Sequence, residues 1–163
     1  MREENPMDQP TAVHATSVIE RAYPAPPERV FAAFSDPAKK RRWFAEGDTH
    51  TVDAYELELR VGGAERIVST FGPGTPIAGT TLTFESRYVD VVPDRRIVFA
   101  QTLDRGTRRI SAALVTIELL RGGGGTELVC THQGTFFEGA DGPRMREGGW
   151  RTLFERLAAE LAV

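Results

Sequence analysis

The 163-residue chain predicts an α+β fold: a curved antiparallel sheet of about seven strands around a long C-terminal helix, with two short helices after strand 1. Three observations predict it. Near the C-terminus, Met145, Trp150, Leu153, Phe154, Leu157 and Leu161 recur close to the 3.6-residue helical period and leave Arg151, Glu155, Arg156 and Glu160 on the other side. Near the front, a proline-punctuated stretch from Pro24 to Phe44 interrupts the strand pattern. Almost everything between Tyr55 and Phe136 reads as short strands separated by Gly and Pro turns. Sequential antiparallel strands whose outer positions are Glu, Arg and Thr have one wet face, so the other face and the helix must cover each other.

Taken in order, residues 1–11 hold Arg2, Glu3, Glu4, Pro6, Asp8 and Pro10 with almost nothing apolar, which predicts a mobile tail ahead of a single domain over 12–163. Val13 to Arg21 reads as a strand that ends at Pro24-Ala25-Pro26-Pro27. Pro27 suits the first turn of a helix whose Val30, Phe31 and Phe34 share a face. Ser35 or Asp36 then caps a second short helix with Pro37 in its first turn, running to Trp43-Phe44. Tyr55, Leu57, Leu59 and Val61 alternate with Glu56, Glu58 and Arg60, a strand with one wet face, and Gly62-Gly63 turns it into Ala64 to Phe71. Thr80 to Val92, Ile97 to Leu103, Ile110 to Leu120 and Thr126 to Phe136 complete the series. The run Gly122 to Gly125 lacks both the GxxxxGK[ST] and the GxGxxG spacing and lies between two strands, so it is a hairpin turn and not a phosphate loop.

Composition narrows the function classes. A chain of this length buries roughly 70% of its unfolded surface, enough for one core. The formal net charge of −3 argues against a nucleic-acid partner, which selects clustered Lys and Arg. The exception, Lys39-Lys40-Arg41-Arg42, reads as the solvated face of the second short helix, ahead of a nucleic-acid or targeting role. The single cysteine, Cys130, excludes an intramolecular disulfide and a Cys-based zinc cluster and fits a reducing compartment. No leader pattern and no run of ~18 apolar residues appears, so a cytoplasmic protein without membrane insertion is expected. Many Arg beside two Lys and one Asn suggest a G/C-rich coding sequence and a bacterial source.

Catalytic and metal signals are sparse. No spacing brings together three or four His, Cys or carboxylate ligands, so no metal and no cofactor is expected. Leu128, Cys130 and His132 lie two apart and share one strand face, but such neighbours are roughly 7 Å apart, beyond hydrogen-bond reach, and no third residue orients them. No catalytic residue is assigned. His132 is instead a polar ligand contact or a satisfied histidine. The aromatic residues are the stronger lead, because a sheet wrapped on a helix makes them converge. The expected cavity lining is Trp43, Phe44, Leu59, Phe71, Phe84, Tyr88, Phe99, Gln101, His132, Met145, Trp150 and Phe154, with Arg60 a further polar candidate. Gly148-Gly149 inside the closing helix marks either a hinge at a cavity mouth or a close approach of backbone to the sheet.

The segments APPERVFAAFSDPAKKRRWF, LELRVGG, YVDVVPDRRIVFAQT, TELVCTHQGTF and REGGWRTLFERLAAEL resemble, in unbroken order from about Val13 to Leu161, the family of homologues of the activator of the heat-shock-protein-90 ATPase. That family belongs to the START-like, SRPBCC superfamily. The resemblance implies the helix-grip fold shared with the birch pollen allergen, with Arg60-Val61-Gly62-Gly63 and Gly149-Trp150 as structural signatures. Its chaperone role belongs to longer proteins with an extra domain and is not carried over. The expected function is binding of a small hydrophobic or amphipathic ligand between sheet and helix. Two alternatives stay open: a cyclase, dehydratase or hydrolase-like enzyme using His132 or Tyr88 in the same cavity, and a protein-interaction module with a filled core. An exposed edge strand leaves a homodimer open.

Overall fold

The structure is a computed structural model and describes residues 7–163. Of the expected mobile tail, residues 1–6 lie outside the described residues, and 7–12 form no helix or strand. The strands are β1 (Val13–Tyr23), β2 (His50–Leu57), β3 (Ala64–Phe71), β4 (Thr81–Val92), β5 (Arg96–Arg105), β6 (Arg108–Gly122) and β7 (Gly125–Phe136). They form one antiparallel sheet in the order β1-β7-β6-β5-β4-β3-β2. Strands β2 to β7 are thus a meander, and β1 closes on β7 with Ile19 opposite Cys130 and Ser17 opposite His132.

Two short helices lie between β1 and β2. Helix α1 (Pro27–Ser35) starts on Pro27, which supplies the fixed φ of a first turn and has no N–H to leave unpaired. Helix α2 (Pro37–Lys40) is capped by the Asp36 carboxylate, which accepts from the N–H groups of Ala38 at 2.9 Å and Lys39 at 3.2 Å. It runs on into a π-helical turn (Arg41–Ala45), closed by the Glu46 N–H on the Arg41 carbonyl at 2.9 Å. The wider turn swings Trp43 into the core, where its indole N–H donates to the Ala33 carbonyl at 2.8 Å.

Helix α3 (Pro143–Leu161) lies on the concave face of the sheet and buries Arg146, Trp150, Phe154, Leu157 and Leu161. They meet Ile19, Ile97, Phe99, Val115, Ile117, Leu128 and Cys130, all buried on inward strand positions. The Tyr23 hydroxyl donates to the Phe154 carbonyl at 2.8 Å, tying the end of β1 to the middle of α3. A burial of this kind is worth roughly 25 cal/mol per Å² of apolar surface and drives the closure.

One expected strand is displaced. The alternation Tyr55 to Val61 predicts a strand over those residues, whereas β2 starts at His50 and stops at Leu57. Beyond it the chain makes a tight loop: the Gly63 N–H donates to the Arg60 carbonyl at 2.8 Å and the Gly62 N–H to the Tyr88 carbonyl at 2.9 Å. Gly62 has φ +81°, and a Cβ on Gly63 would collide with the Glu58 carbonyl oxygen, so both glycines are required by the backbone path. Val61 therefore projects into solvent, 59% exposed. The front half of β2 escapes a period-2 reading because its register shifts between Val52 and Ala54.

A matched pair of variants checks this account. Gly63→Ala should lower the unfolding free energy by about 2 kcal/mol or more in urea titrations, because backbone must move. Gly148→Ala, where an added Cβ meets open space in an exposed helical turn, should raise it by about 1 kcal/mol. Equal effects of the two would contradict the geometry.

Candidate functional site

The concave face is organised in rows of opposed residues. One row runs Ile97, Ile117, Cys130 and Ile19, and the next Phe99, Val115 and His132. Beyond them come Gln101, Ala113 and Gly134, with Ser86 and Glu65 continuing that row across β4 and β3, and then Leu103, Ser111 and Phe136. In the Gln101 row Ala113 and Gly134 carry the smallest side chains, and the rings of His132 and Phe136 lie over Gly134, within 3 Å of where a Cβ would stand. The row lies between two levels of the helix, one held by Trp150 over Phe99 and His132 and the other by Arg146 over Ser111 and Phe136.

Trp150 is the hub of the apolar level. Its ring lies 5.6 Å from Phe44, 6.4 Å from Phe99, 6.2 Å from His132 and 5.7 Å from Phe154, all tilted arrangements. Tyr88 meets Phe99 edge-on at 5.8 Å, and Trp43 meets Phe44 edge-on at 5.3 Å. Of the residues expected to line the site, Phe44, Tyr88, Phe99, Gln101, His132, Trp150 and Phe154 are brought to this face, with Trp43 behind Phe44. Leu59 packs half-buried against the same core. Phe84 is half-buried under Arg146, whose guanidinium carbon is 6.0 Å from its ring. Phe71 stands apart, at the end of β3, its ring tilted against that of His50 at 5.3 Å. Arg60 pairs with Glu58 at the surface at 2.9 Å.

Met145 does not join them. It is 68% exposed, and Arg146 occupies the inward position instead. The helical period explains this: counting back one turn from Trp150 reaches residue 146, whereas 145 lies about 140° away around the axis. The guanidinium is accommodated because it is fully paired. It donates to both Asp141 oxygens, at 2.8 and 2.7 Å, and to Ser111 Oγ at 2.9 Å, and lies 5.2 Å from the Phe136 ring.

A second buried ion pair was hidden in the basic run. Lys39-Lys40-Arg41-Arg42 reads as a solvated face, yet Lys40 is 2% exposed and its Nζ lies 3.1 Å from both oxygens of Glu65, itself 2% exposed. The ammonium lies 4.1 Å from the Phe44 ring centroid, and the Tyr55 hydroxyl donates to Glu65 Oε2 at 3.0 Å. Burial lowers the Lys40 pKa, and Glu65 opposes that shift. Burial, with the Glu65 charge adding to it, holds the Tyr55 and Tyr88 hydroxyls well above their ordinary range.

Two polar atoms in the site have no hydrogen-bond partner: Gln101 Oε1 and His132 Nε2, on side chains each 3% exposed. Gln101 uses its amide nitrogen on Ser86 Oγ at 3.3 Å. Burial, reinforced by the nearby Arg146 charge, pulls the His132 pKa down to about 4, so the imidazole is neutral at pH 7. Burial also pushes the Cys130 thiol up to about 12, which leaves it inert as a nucleophile although it shares a face with His132. Among the described residues no group of three His, Cys, Asp or Glu is placed to hold a metal ion.

Two cavities open on the outside of the molecule. One of about 240 Å³ is bounded by Arg42, Trp43, Arg156, Ala159 and Glu160. The other, of about 440 Å³, lies between the start of α1 and the β4–β5 turn, beside Leu119 to Arg121. Gly148 and Gly149 lie on the solvent side of α3, and a Cβ at either would meet nothing within 4 Å, so close packing of backbone against the sheet is not their reason for being glycine.

A curved antiparallel sheet wrapped on one C-terminal helix, with two short helices inserted after the first strand and a polar-dotted apolar face beneath the helix, defines a helix-grip protein of the START-like class. Residues 24–162 match the family model described as Activator of Hsp90 ATPase homolog 1-like protein, and the chain belongs to that family. Among solved structures, an uncharacterized protein from Rhizobium leguminosarum is 37% identical with a TM-score of 0.84, over 93% of this chain and 96% of that one. A protein from Rhizobium loti is 42% identical with a TM-score of 0.81, over 91% of this chain and 98% of that one. A third, from Chromobacterium violaceum, is 27% identical with a TM-score of 0.75, over 90% and 96%. Among curated proteins, none matches the chain. No helix among the described residues is long and apolar enough to cross a membrane.

Two measurements probe the buried polar groups. Lys40→Met leaves the Glu65 carboxylate without its cation and should cost about 3–5 kcal/mol in urea unfolding, whereas Lys40→Met combined with Glu65→Leu should recover most of that loss. Additive losses would mean that the two charges are not coupled. For His132, only the unfolded state takes up a proton between about pH 6.5 and 4, because the folded pKa is depressed. The imidazole's contribution is therefore complete above pH 6.5 and is lost as pH falls toward 4, by up to about 3 kcal/mol. The melting temperature of the wild type should drop across that window more steeply than that of His132→Gln, and parallel curves would refute the assignment.

Proposed function

We propose that the chain binds a small hydrophobic or amphipathic molecule in a trough that opens between the sheet and α3, without a cofactor. The observation that carries the reading is the pair of unpartnered buried atoms, Gln101 Oε1 and His132 Nε2, on the face that Trp150 covers. A buried polar atom without a partner costs about 1–3 kcal/mol, and a fold retains that cost most readily where a ligand supplies the missing bond. Aromatic walls with a few polar atoms are the usual make-up of a small-molecule site. Turnover ranks below binding because His132, Cys130 and Tyr88 are all held in their neutral forms at pH 7 by burial, away from the near-neutral pKa that suits an acid or base. The single cysteine supports a cytoplasmic setting.

Entry requires Trp150 to move, and the exposed Gly148-Gly149 pair is where α3 bends most cheaply. The packing of Trp150 against Phe44, Phe99, His132 and Phe154 favours a second reading, a module with a filled core that works through its surface. Native mass spectrometry of protein purified without denaturation separates the two. An additional non-covalent mass of a few hundred daltons, absent after denaturation, supports the ligand reading. A bare polypeptide mass that does not change when lysate small molecules are added back favours the surface module. In the ligand-loaded protein, Gly148→Ala with Gly149→Ala should slow ligand release several-fold, and unchanged release in the folded variant would remove the hinge.

A further inference from the structure

The two edges of the sheet are built differently. At one edge, β2 carries Asp53 and Glu56 and a register shift between Val52 and Ala54, the charges and the bulge by which a sheet keeps other strands away. At the other edge, β1 has neither device over most of its length. It pairs with β7 without a break from Val13 to Tyr23, holds no proline and no lysine, and from Val13 to Ile19 contains no Asp, Glu, Lys or Arg. Val13 and Val18 are 57% and 50% exposed. Among the described residues, no main-chain group of Val13 to Ala22 bonds outside β7 except the Glu20 carbonyl, which accepts from the Arg21 guanidinium at 3.0 Å. An edge of open N–H and carbonyl groups with so little charge takes a further strand readily.

The side chains say which strand fits. Two copies of β1 laid antiparallel about a twofold axis at Ser17 place His14 opposite the partner's Glu20, Thr16 opposite the partner's Val18 and Ala15 opposite the partner's Ile19. On the convex face an imidazole then meets a carboxylate and two β-branched side chains meet, each contact occurring twice by symmetry. His14 Nδ1 lies 3.3 Å from Thr135 Oγ1, which leaves Nε2 for that carboxylate. Glu20 is exposed and in no ion pair among the described residues. An axis one residue to either side separates Glu20 from the imidazole, and an axis at Glu20 or Arg21 sets like charges face to face.

We infer that β1 is a dimerisation edge that takes a second copy of this chain, antiparallel about Ser17, and joins the two sheets into one.

Sedimentation velocity of the full chain, from micromolar to millimolar concentration, should show a monomer–dimer equilibrium. Two double variants at exposed positions, shown folded by circular dichroism, test the pairing. Thr16→Lys with Val18→Lys sets lysine opposite lysine twice and should raise the dimer dissociation constant by about tenfold or more. Thr16→Glu with Val18→Lys sets opposite charges at the same two places and should dimerise at least as tightly as the wild type. A monomer at every concentration, equal weakening by both variants, or a dimer that the double lysine leaves unchanged would each overturn the inference.

Discussion

The contact on which the rest of the molecule depends is the closure of the concave sheet by α3 through Trp150 and Phe154. A seven-stranded sheet with one apolar face has to hide that face, and two short helices at one end cannot span it. Trp150 does so by touching three parts of the chain at once: Phe44 from the π-helical turn, Phe99 from β5 and His132 from β7. Phe154 continues the seam, and the Tyr23 hydroxyl on its carbonyl fixes the helix lengthwise against β1. Large rings contribute the most apolar area per residue, so a single tryptophan in this position couples β5, β7 and the inserted helices.

Under that seam the polar groups fall into two kinds. Lys40 with Glu65, and Arg146 with Asp141 and Ser111, are buried but satisfied, each charge meeting its opposite with two close contacts. Such pairs add little net stability over apolar side chains, but removing one partner is costly, so they act as locks that hold α2 on β3 and the start of α3 on β6. Gln101 and His132 are the other kind, buried with one atom each unsatisfied. The contrast is informative because the same interior that pairs its charges closely leaves these two atoms open.

The solved relatives from Rhizobium leguminosarum and Rhizobium loti share the architecture over nearly their whole length at 37% and 42% identity. Shared architecture on this scale fixes the sheet, the closing helix and the inserted helices, and does not by itself fix the chemistry of the side chains between them.

The scaffold is written locally in the chain: the strand–helix–helix–meander–helix order, the Asp36 cap, the Gly62-Gly63 turn and the apolar side of α3 from Trp150 to Leu161 are local patterns with local causes. Even there, β2 was misplaced, because a register shift in its front half broke the alternation and a loop imitated it. Met145 was drawn into the apolar stripe by its side-chain type, although stepping back one turn from Trp150 points to Arg146. Only the tertiary structure decided which polar residues are buried. Lys40 looks solvated within a run of four basic residues, and it is inside because Glu65, on a strand 25 residues away, meets it there. Arg146 is inside because Asp141 and Ser111 converge on it, and Gln101 Oε1 and His132 Nε2 are unsatisfied because no polar atom of a neighbouring element reaches them. Burial of a charge depends on partners distant in sequence, and that dependence is set when the sheet curls around its helix.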